Sequence, residues 1–244
     1  MLLRDEFTRS RSLITNEFAI WNPLMSGIAT DATWEMQSGS VFQRNGIGWT
    51  GQPDGTYPNI DSSNGTHSSI FRLRTKRADF GNVAVDTDLR TNALSSTSAT
   101  PAVSWDGVHM WLHYQSEYSM YYISFNRRDG VVMVKKKVPG GTMVNGSPSP
   151  SDENGGHYYP LTPEVKGAYP IPFGAWQHLR GTIVTNADGT VTIKGYIDGV
   201  LKVSVVDNGS IGGPPITAPG RTGLRGDNAD LEFDNFTVSS FTGS

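Results

Sequence analysis

The sequence predicts an all-β protein, a sandwich of two antiparallel sheets, and three observations carry that prediction. Alternation of apolar and polar residues recurs along the chain, whereas helical periodicity is nearly absent. Turn signals sit between the alternating runs. The composition, with 28 Gly and 14 Pro in 244 residues, suits many short strands joined by turns.

In chain order, Phe71–Arg77 alternates apolar with basic side chains. Phe71 and Leu73 are expected to face a core, and Arg72, Arg74 and Lys76 to face outward. Val108–Gln115 places Val108, Met110, Leu112 and Tyr114 on one face, with His109, Trp111, His113 and Gln115 on the other. Tyr121–Asn126 divides likewise, leaving Tyr122, Ser124 and Asn126 opposite Tyr121, Ile123 and Phe125. Arg128-Asp129-Gly130 turns that strand into Val131–Lys137, whose Lys135, Lys136 and Lys137 read as a solvated strand edge that blocks pairing with other chains. Asn186-Ala187-Asp188-Gly189 joins Leu179–Val184 to Thr190–Ile197, and Asp198-Gly199 turns into Val200–Val206. Such dipeptides supply the positive φ that tight hairpins require. Gly51–Ser68 and Pro139–Ala175 lack periodicity and read as long loops, the second rich in aromatics. With no linker between two cores, residues 1–244 are expected to form one domain.

Composition excludes several classes. There is no Cys, which removes disulfides, thiol catalysis and thiolate-bound zinc. A net charge of −3 gives no global pull toward nucleic acid. No apolar run approaches the ~20 residues that a helical membrane span needs. Met1-Leu2-Leu3 leads directly into Arg4-Asp5-Glu6-Phe7 without a basic and then apolar leader. The expectation is an extracellular protein whose leader has been removed, or a virion component released by lysis.

Several segments resemble the concanavalin A-like lectin and glucanase superfamily, which includes laminin-G-like modules. The opening Leu3–Phe7 is similar to its first strand, and Trp34–Phe42 followed by Gly48-Trp49 to an early hairpin. Trp176–Ile183 with Gly195–Leu201 resembles its most recognisable strand pair, and Gly223–Gly226 with Phe233–Val238 its closing strands. In this reading Trp176 is an apolar anchor. The resemblance implies a jelly-roll sandwich whose first and last strands lie side by side. It also implies that acidic residues there, Asp5, Glu6 and Asp234, could hold a structural Ca²⁺ through hard oxygen ligands. The superfamily holds lectins, hydrolases, lyases and phage tail modules, so the fold does not choose a function.

If the alternating strands share a sheet, its open face carries Arg72, Arg74, His109, Trp111, His113, Tyr122, Ser124 and Asn126, with Tyr158 from the aromatic loop nearby. Sugars suit such a surface: their C–H faces stack on aromatic rings, and hydroxyls bond to amide and guanidinium groups. The cations favour carboxylated or sulfated glycans. The leading expectation is therefore a non-catalytic carbohydrate-recognition module for a polysaccharide or cell-surface glycan. A bacteriophage tail or capsid-decoration protein, in contact with other virion proteins or its own copies, is a second reading. A polysaccharide lyase is a third, with His113 or Tyr122 as base and Arg72 and Arg74 clamping a uronate. Glycoside hydrolysis needs two carboxyl groups flanking one bond, and the superfamily's E-x-D-x-x-E strand is missing here.

Overall fold

Alternation becomes layers because successive side chains of a strand point to opposite faces of its sheet. The computed structural model describes residues 1–52, 69–139 and 156–243. The strands are β1 (Leu3–Asp5), β2 (Leu13–Asn16), β3 (Trp34–Ser38), β4 (Ser40–Arg44), β5 (Ile47–Trp49), β6 (Ile70–Thr75), β7 (Val83–Leu94) and β8 (Gly107–Ser116). They continue as β9 (Ser119–Phe125), β10 (Met133–Pro139), β11 (Gly156–Pro160), β12 (Trp176–Thr185), β13 (Val191–Ile197), β14 (Val200–Asp207), β15 (Arg221–Asp227) and β16 (Ala229–Ser240). A single helical turn, α1 (Phe18–Trp21), follows β2.

One sheet runs β14-β13-β12-β7-β16-β5-β4-β2, with β1 also paired to β16; the other runs β11-β10-β9-β8-β15-β6-β3. All the pairings are antiparallel, and β1 lies beside β16 as expected for first and last strands. The predicted hairpins β9–β10, β12–β13 and β13–β14 all form. Asp198 and Gly199 both have positive φ, 51° and 76°, as the tight turn into β14 requires.

Three local expectations are corrected. Trp34 and Phe42 do not share a hairpin: β3 belongs to the seven-stranded sheet and β4 to the other, and the chain crosses between sheets at Gly39. The stretch expected as a loop over 139–175 contains β11, while residues 140–155, like 53–68 of the earlier loop, lie outside the described residues. The lysine run is not at an edge, since β10 sits between β9 and β11. Alternation there turns Lys136 inward, fully buried, where Nζ meets Asp207 Oδ2 at 2.8 Å and the Gly213 carbonyl oxygen at 2.7 Å.

Between the sheets lies one continuous core, from Phe7, Trp34 and Phe233 at one end to Ile123, Ile183 and Ile193 at the other. Phe7 meets Phe233 edge-on at 4.8 Å and Trp34 meets Phe236 edge-on at 5.0 Å. Each such buried side chain contributes about 1.5–3 kcal/mol. The glycines in the recognisable β12–β13 pair have a packing cause. Gly181 and Gly195 are direct cross-strand partners. A Cβ on Gly181 would lie 2.7 Å from Met110 Sδ, and one on Gly195 2.9 Å from Ile123 Cγ2, so their bareness lets β8 and β9 approach. Trp176, expected as an anchor, is instead 41% exposed, because it opens β12 at the surface under the Arg90 guanidinium.

Residues 208–220 connect the two sheets and are pinned by side chains. Gly213 holds Lys136, the Ile216 N–H donates to Tyr121 Oη at 2.9 Å, and Gln115 Nε2 donates to the Ala218 and Pro219 carbonyls.

Candidate functional site

The outward face of the seven-stranded sheet is ordered by register. One row across it reads Lys135, Tyr122, Trp111, Gly223, Arg74, Glu35. The next reads Ser124, His109, Arg225, Arg72. Tyr158 enters from β11 opposite Lys137. Seven of the expected residues, Arg72, Arg74, His109, Trp111, Tyr122, Ser124 and Tyr158, therefore share one face.

Two expected residues do not. His113 has φ of 44° within a register shift between β8 and β9, and this bulge slips the alternation by one residue. Its imidazole turns inward, with Nδ1 2.9 Å from the Ile216 carbonyl oxygen and Nε2 3.0 Å from that of Gly81. Burial pushes its pKa down. The same slip sends Tyr114 outward, against Trp111 at 4.9 Å between ring centroids. Asn126 follows the end of β9 at φ of 45°, and its Nδ2 bridges to the other sheet, donating to Thr91 Oγ1 at 3.2 Å and Gln177 Oε1 at 2.9 Å. Gln115 is likewise spent on the connecting segment.

Trp111 and Tyr122, 3% and 8% exposed, form a floor with Tyr114 and Met120 rather than an open stacking platform. Over this floor stands a charged network. Buried Asp227 accepts from Arg225 Nε at 2.7 Å and lies 3.2 Å from His109 Nε2; the other imidazole nitrogen lies 2.9 Å from Ser124 Oγ. Burial opposes ionisation of Asp227, but Arg225 foremost and then His109 hold its carboxyl well below the usual range. Burial likewise works against the Arg225 charge, yet Asp227 and Tyr158 hold its pKa above the ordinary value. Burial lowers the pKa of His109 despite Asp227, so the ring is a neutral strut near pH 7. Tyr122 is raised well above its ordinary value by burial and by Tyr158.

Arg225 Nη1 donates to Tyr158 Oη at 3.2 Å, and Lys137 Nζ lies 4.7 Å from the centre of the same ring. Arg72 stands directly across from Arg225, and its pKa is lowered by burial and by that second guanidinium. Arg74 donates to Glu35 Oε2 at 3.0 Å and to Tyr114 Oη at 3.3 Å. A face this rich in fixed N–H donors, with aromatic edges among them, is equipped to bind an oxyanion. It holds no pair of free carboxyl groups among the described residues, since Glu35, Asp227 and Glu164 all face cations.

With both sheets and their crossovers described, comparison with solved structures is informative. A structure from a study of endo-acting O-glycanases that human gut microbiota use to initiate mucin breakdown aligns over 99% of both chains, with a TM-score of 0.58 and 10% identity. The fold is the concanavalin A-like jelly roll. A glycoside hydrolase family protein from Mycobacterium thermorestibile shows the same jelly roll over 98% of this chain and 100% of its own, at a TM-score of 0.52 and 15% identity. The carbohydrate recognition domain of Emp46p, in metal-free form, covers 86% and 89% at a TM-score of 0.50 and 12% identity. No protein-family model and no curated protein matches the sequence.

Arg225 and Asp227 were not singled out from sequence, Lys135 and Lys137 were read only as a strand edge, and Tyr114 was expected to face the core. β15 inserts between β8 and β6, a long-range pairing that carries Arg225 and Asp227 into the face without a local signal. For Lys135 and Lys137 the signal was present, since alternation places them together on the side opposite Val134 and Val138.

The expected calcium residues are occupied differently. Asp5 accepts from Arg9 Nη2 at 2.6 Å, Trp34 Nε1 at 2.8 Å and the Phe7 N–H at 2.6 Å. Asp234 accepts from the Asn235 N–H at 2.7 Å, and its pKa is raised by burial and then by Glu6, Asp88 and Asp5. Among the described residues no three His, Asp or Glu side chains converge as a metal site. Asp5 in particular is already neutralised by a guanidinium, which does not fit a cation ligand.

Proposed function

We propose that the protein is a carbohydrate-recognition module that binds an acidic glycan on the outward face of its seven-stranded sheet. The observation that carries this reading is the juxtaposition of Arg72 and Arg225, directly across from each other beside Tyr158, over a buried floor that fixes their positions. Asp227 takes the Arg225 Nε, and a carboxylate or sulfate would add charge-assisted hydrogen bonds to this guanidinium pair. Asp227, braced by His109, positions Arg225 rather than touching the ligand. The glycanases and the carbohydrate recognition domain among the similar structures support a carbohydrate ligand.

Affinity electrophoresis in gels containing a polyuronate, a sulfated polysaccharide or a neutral glucan tests the reading. The acidic polymers should retard the protein at low salt and lose their hold at high salt. Arg225→Ala and Arg72→Ala should each weaken retention by ~10-fold or more, the scale of a hydrogen bond to a charged group. Equal mobility in every gel, or variants retarded like the parent, would refute it.

One observation favours a second reading, a uronate lyase. The Tyr158 phenol lies between the Arg225 guanidinium and Lys137, which sets an acid–base group beside the cations that would hold a uronate. Tyr158 would then take the proton α to the uronate carboxylate while Arg72 neutralises the acid. As the C–H electrons form the new double bond, the glycosidic C–O bond breaks and the departing oxygen takes up a proton. His113 cannot fill the role of base, because it is buried against two carbonyls. A rise in ultraviolet absorbance from an unsaturated uronate, lost in Tyr158→Phe, would establish this reading; a flat trace across uronate polymers would end it.

A further inference from the structure

A separate depression of about 360 Å³ opens at the end of the sandwich, walled by Asn126, Tyr169, Gln177, Asp198 and Lys202. It lies within the ~300–1,000 Å³ range of small-ligand sites. Asn126 is 4% exposed, and both hydrogens of its Nδ2 are spent on Thr91 and Gln177. Its Oδ1 makes none of these bonds and faces the depression as an acceptor open to solvent. Gln177 uses its oxygen to accept that bond, so its Nε2 hydrogens remain for a ligand. Asp198 uses Oδ1 for the His178 N–H at 2.9 Å and retains Oδ2. Lys202 Nζ lies 5.5 Å from the centre of the Tyr169 ring. Donors, acceptors and an aromatic ring thus share one cavity, and its single cation and single carboxylate cancel.

We propose that this cavity is a second glycan site, selective for uncharged pyranose units. A hydroxyl both gives and takes a hydrogen bond, which matches the pairing of Asn126 and Asp198 acceptors with Gln177 and Lys202 donors. The Tyr169 ring supplies the apolar contact for a sugar C–H face. The absence of net charge separates this site from the cation-rich sheet face. An adjoining depression of about 410 Å³ shares Pro170 and is walled by Phe173, 55% exposed, while its Arg128 and Asp129 are engaged by Asp106 and Arg127. The next sugar of a chain lies there, against Phe173.

Amide NMR of the full chain with tens of millimolar methyl glucoside, galactoside, mannoside and N-acetylglucosaminide tests the proposal. At least one glycoside should produce saturable shifts at Asn126, Tyr169, Gln177 and Lys202, little altered by high salt because the ligand is neutral. Gln177→Ala should weaken binding by ~10-fold or more, with the remaining spectrum unchanged. Phe173→Ala should weaken cellobiose, lactose or maltose while leaving the monosaccharide unaffected. Silence of these amides toward all four glycosides, shifts confined to the Arg72 and Arg225 face, or parental affinity in folded variants would overturn the proposal. Because the face binds acidic polymers in a salt-dependent way, its failure and the failure of this site give different results.

Discussion

Replacing Lys136 with Met removes the positive half of an ion pair whose side chains are 0% and 1% exposed. Removing one partner of a buried pair costs about 3–5 kcal/mol, because the remaining charge has lost both water and counter-ion. The Asp207 left behind is not wholly orphaned. Tyr121 Oη still donates to Oδ2 at 2.5 Å, and the Gly209 N–H to Oδ1 at 3.0 Å. The expected loss is therefore at the lower end, about 3 kcal/mol, part of it from the Gly213 carbonyl that Lys136 also serves. For a chain of this size that lowers the melting temperature by roughly 6–12 °C. Urea unfolding followed by tryptophan fluorescence should show the loss as a lower midpoint at unchanged slope. The double variant Lys136→Met/Asp207→Asn removes both charges yet keeps an acceptor for Tyr121, and should recover to within about 1 kcal/mol of the parent. A single-variant loss below about 1 kcal/mol would refute the reasoning, since the carboxylate would then be finding water that the buried geometry denies it.

Gly195→Ala drives a Cβ to within 2.9 Å of both Ile123 and Val203 and should cost about 1–3 kcal/mol in urea unfolding. His109 and His113 are both pushed down by burial from an ordinary 6.5. Below that value the unfolded chain binds more protons than the folded one, so the melting temperature should fall as pH drops from 7 toward 5; a rising profile would contradict the burial. His178 behaves in the opposite sense. Although its partial burial opposes the charge, Asp88 and Asp86 on its two ring nitrogens raise its pKa, as an NMR titration should show. Its stabilisation is complete below the unfolded value and fades as pH rises through the folded one. Half-exposed, it contributes less than about 1 kcal/mol, and His178→Ala should steepen the acid-side loss.

Local chemistry was readable wherever it was local. Strict alternation in Phe71–Arg74 and Val108–Leu112 placed the core and outward side chains correctly, and Asp198-Gly199 marked its own turn. What sequence could not supply was anything fixed by distant pairing or by one torsion. The arrival of β15 beside β8 adds a third guanidinium to the face, yet nothing near Arg225 announces its neighbours. The positive φ at His113 reverses two side chains with no Gly or Asn to signal it, whereas Asn126, of a type that tolerates that conformation, carried a weak sign. The lysine run shows the converse. Its alternation was plain, but whether an inward Lys136 meets a carboxylate depends on Asp207, seventy-one positions away in sequence.

The pinned connection between the sheets governs how the molecule yields under load. Sliding one sheet past the other would have to break the bonds of Tyr121 and Lys136 to Asp207 of the opposite sheet together. Shear between the layers is thus opposed at a buried, charged contact rather than by apolar packing alone.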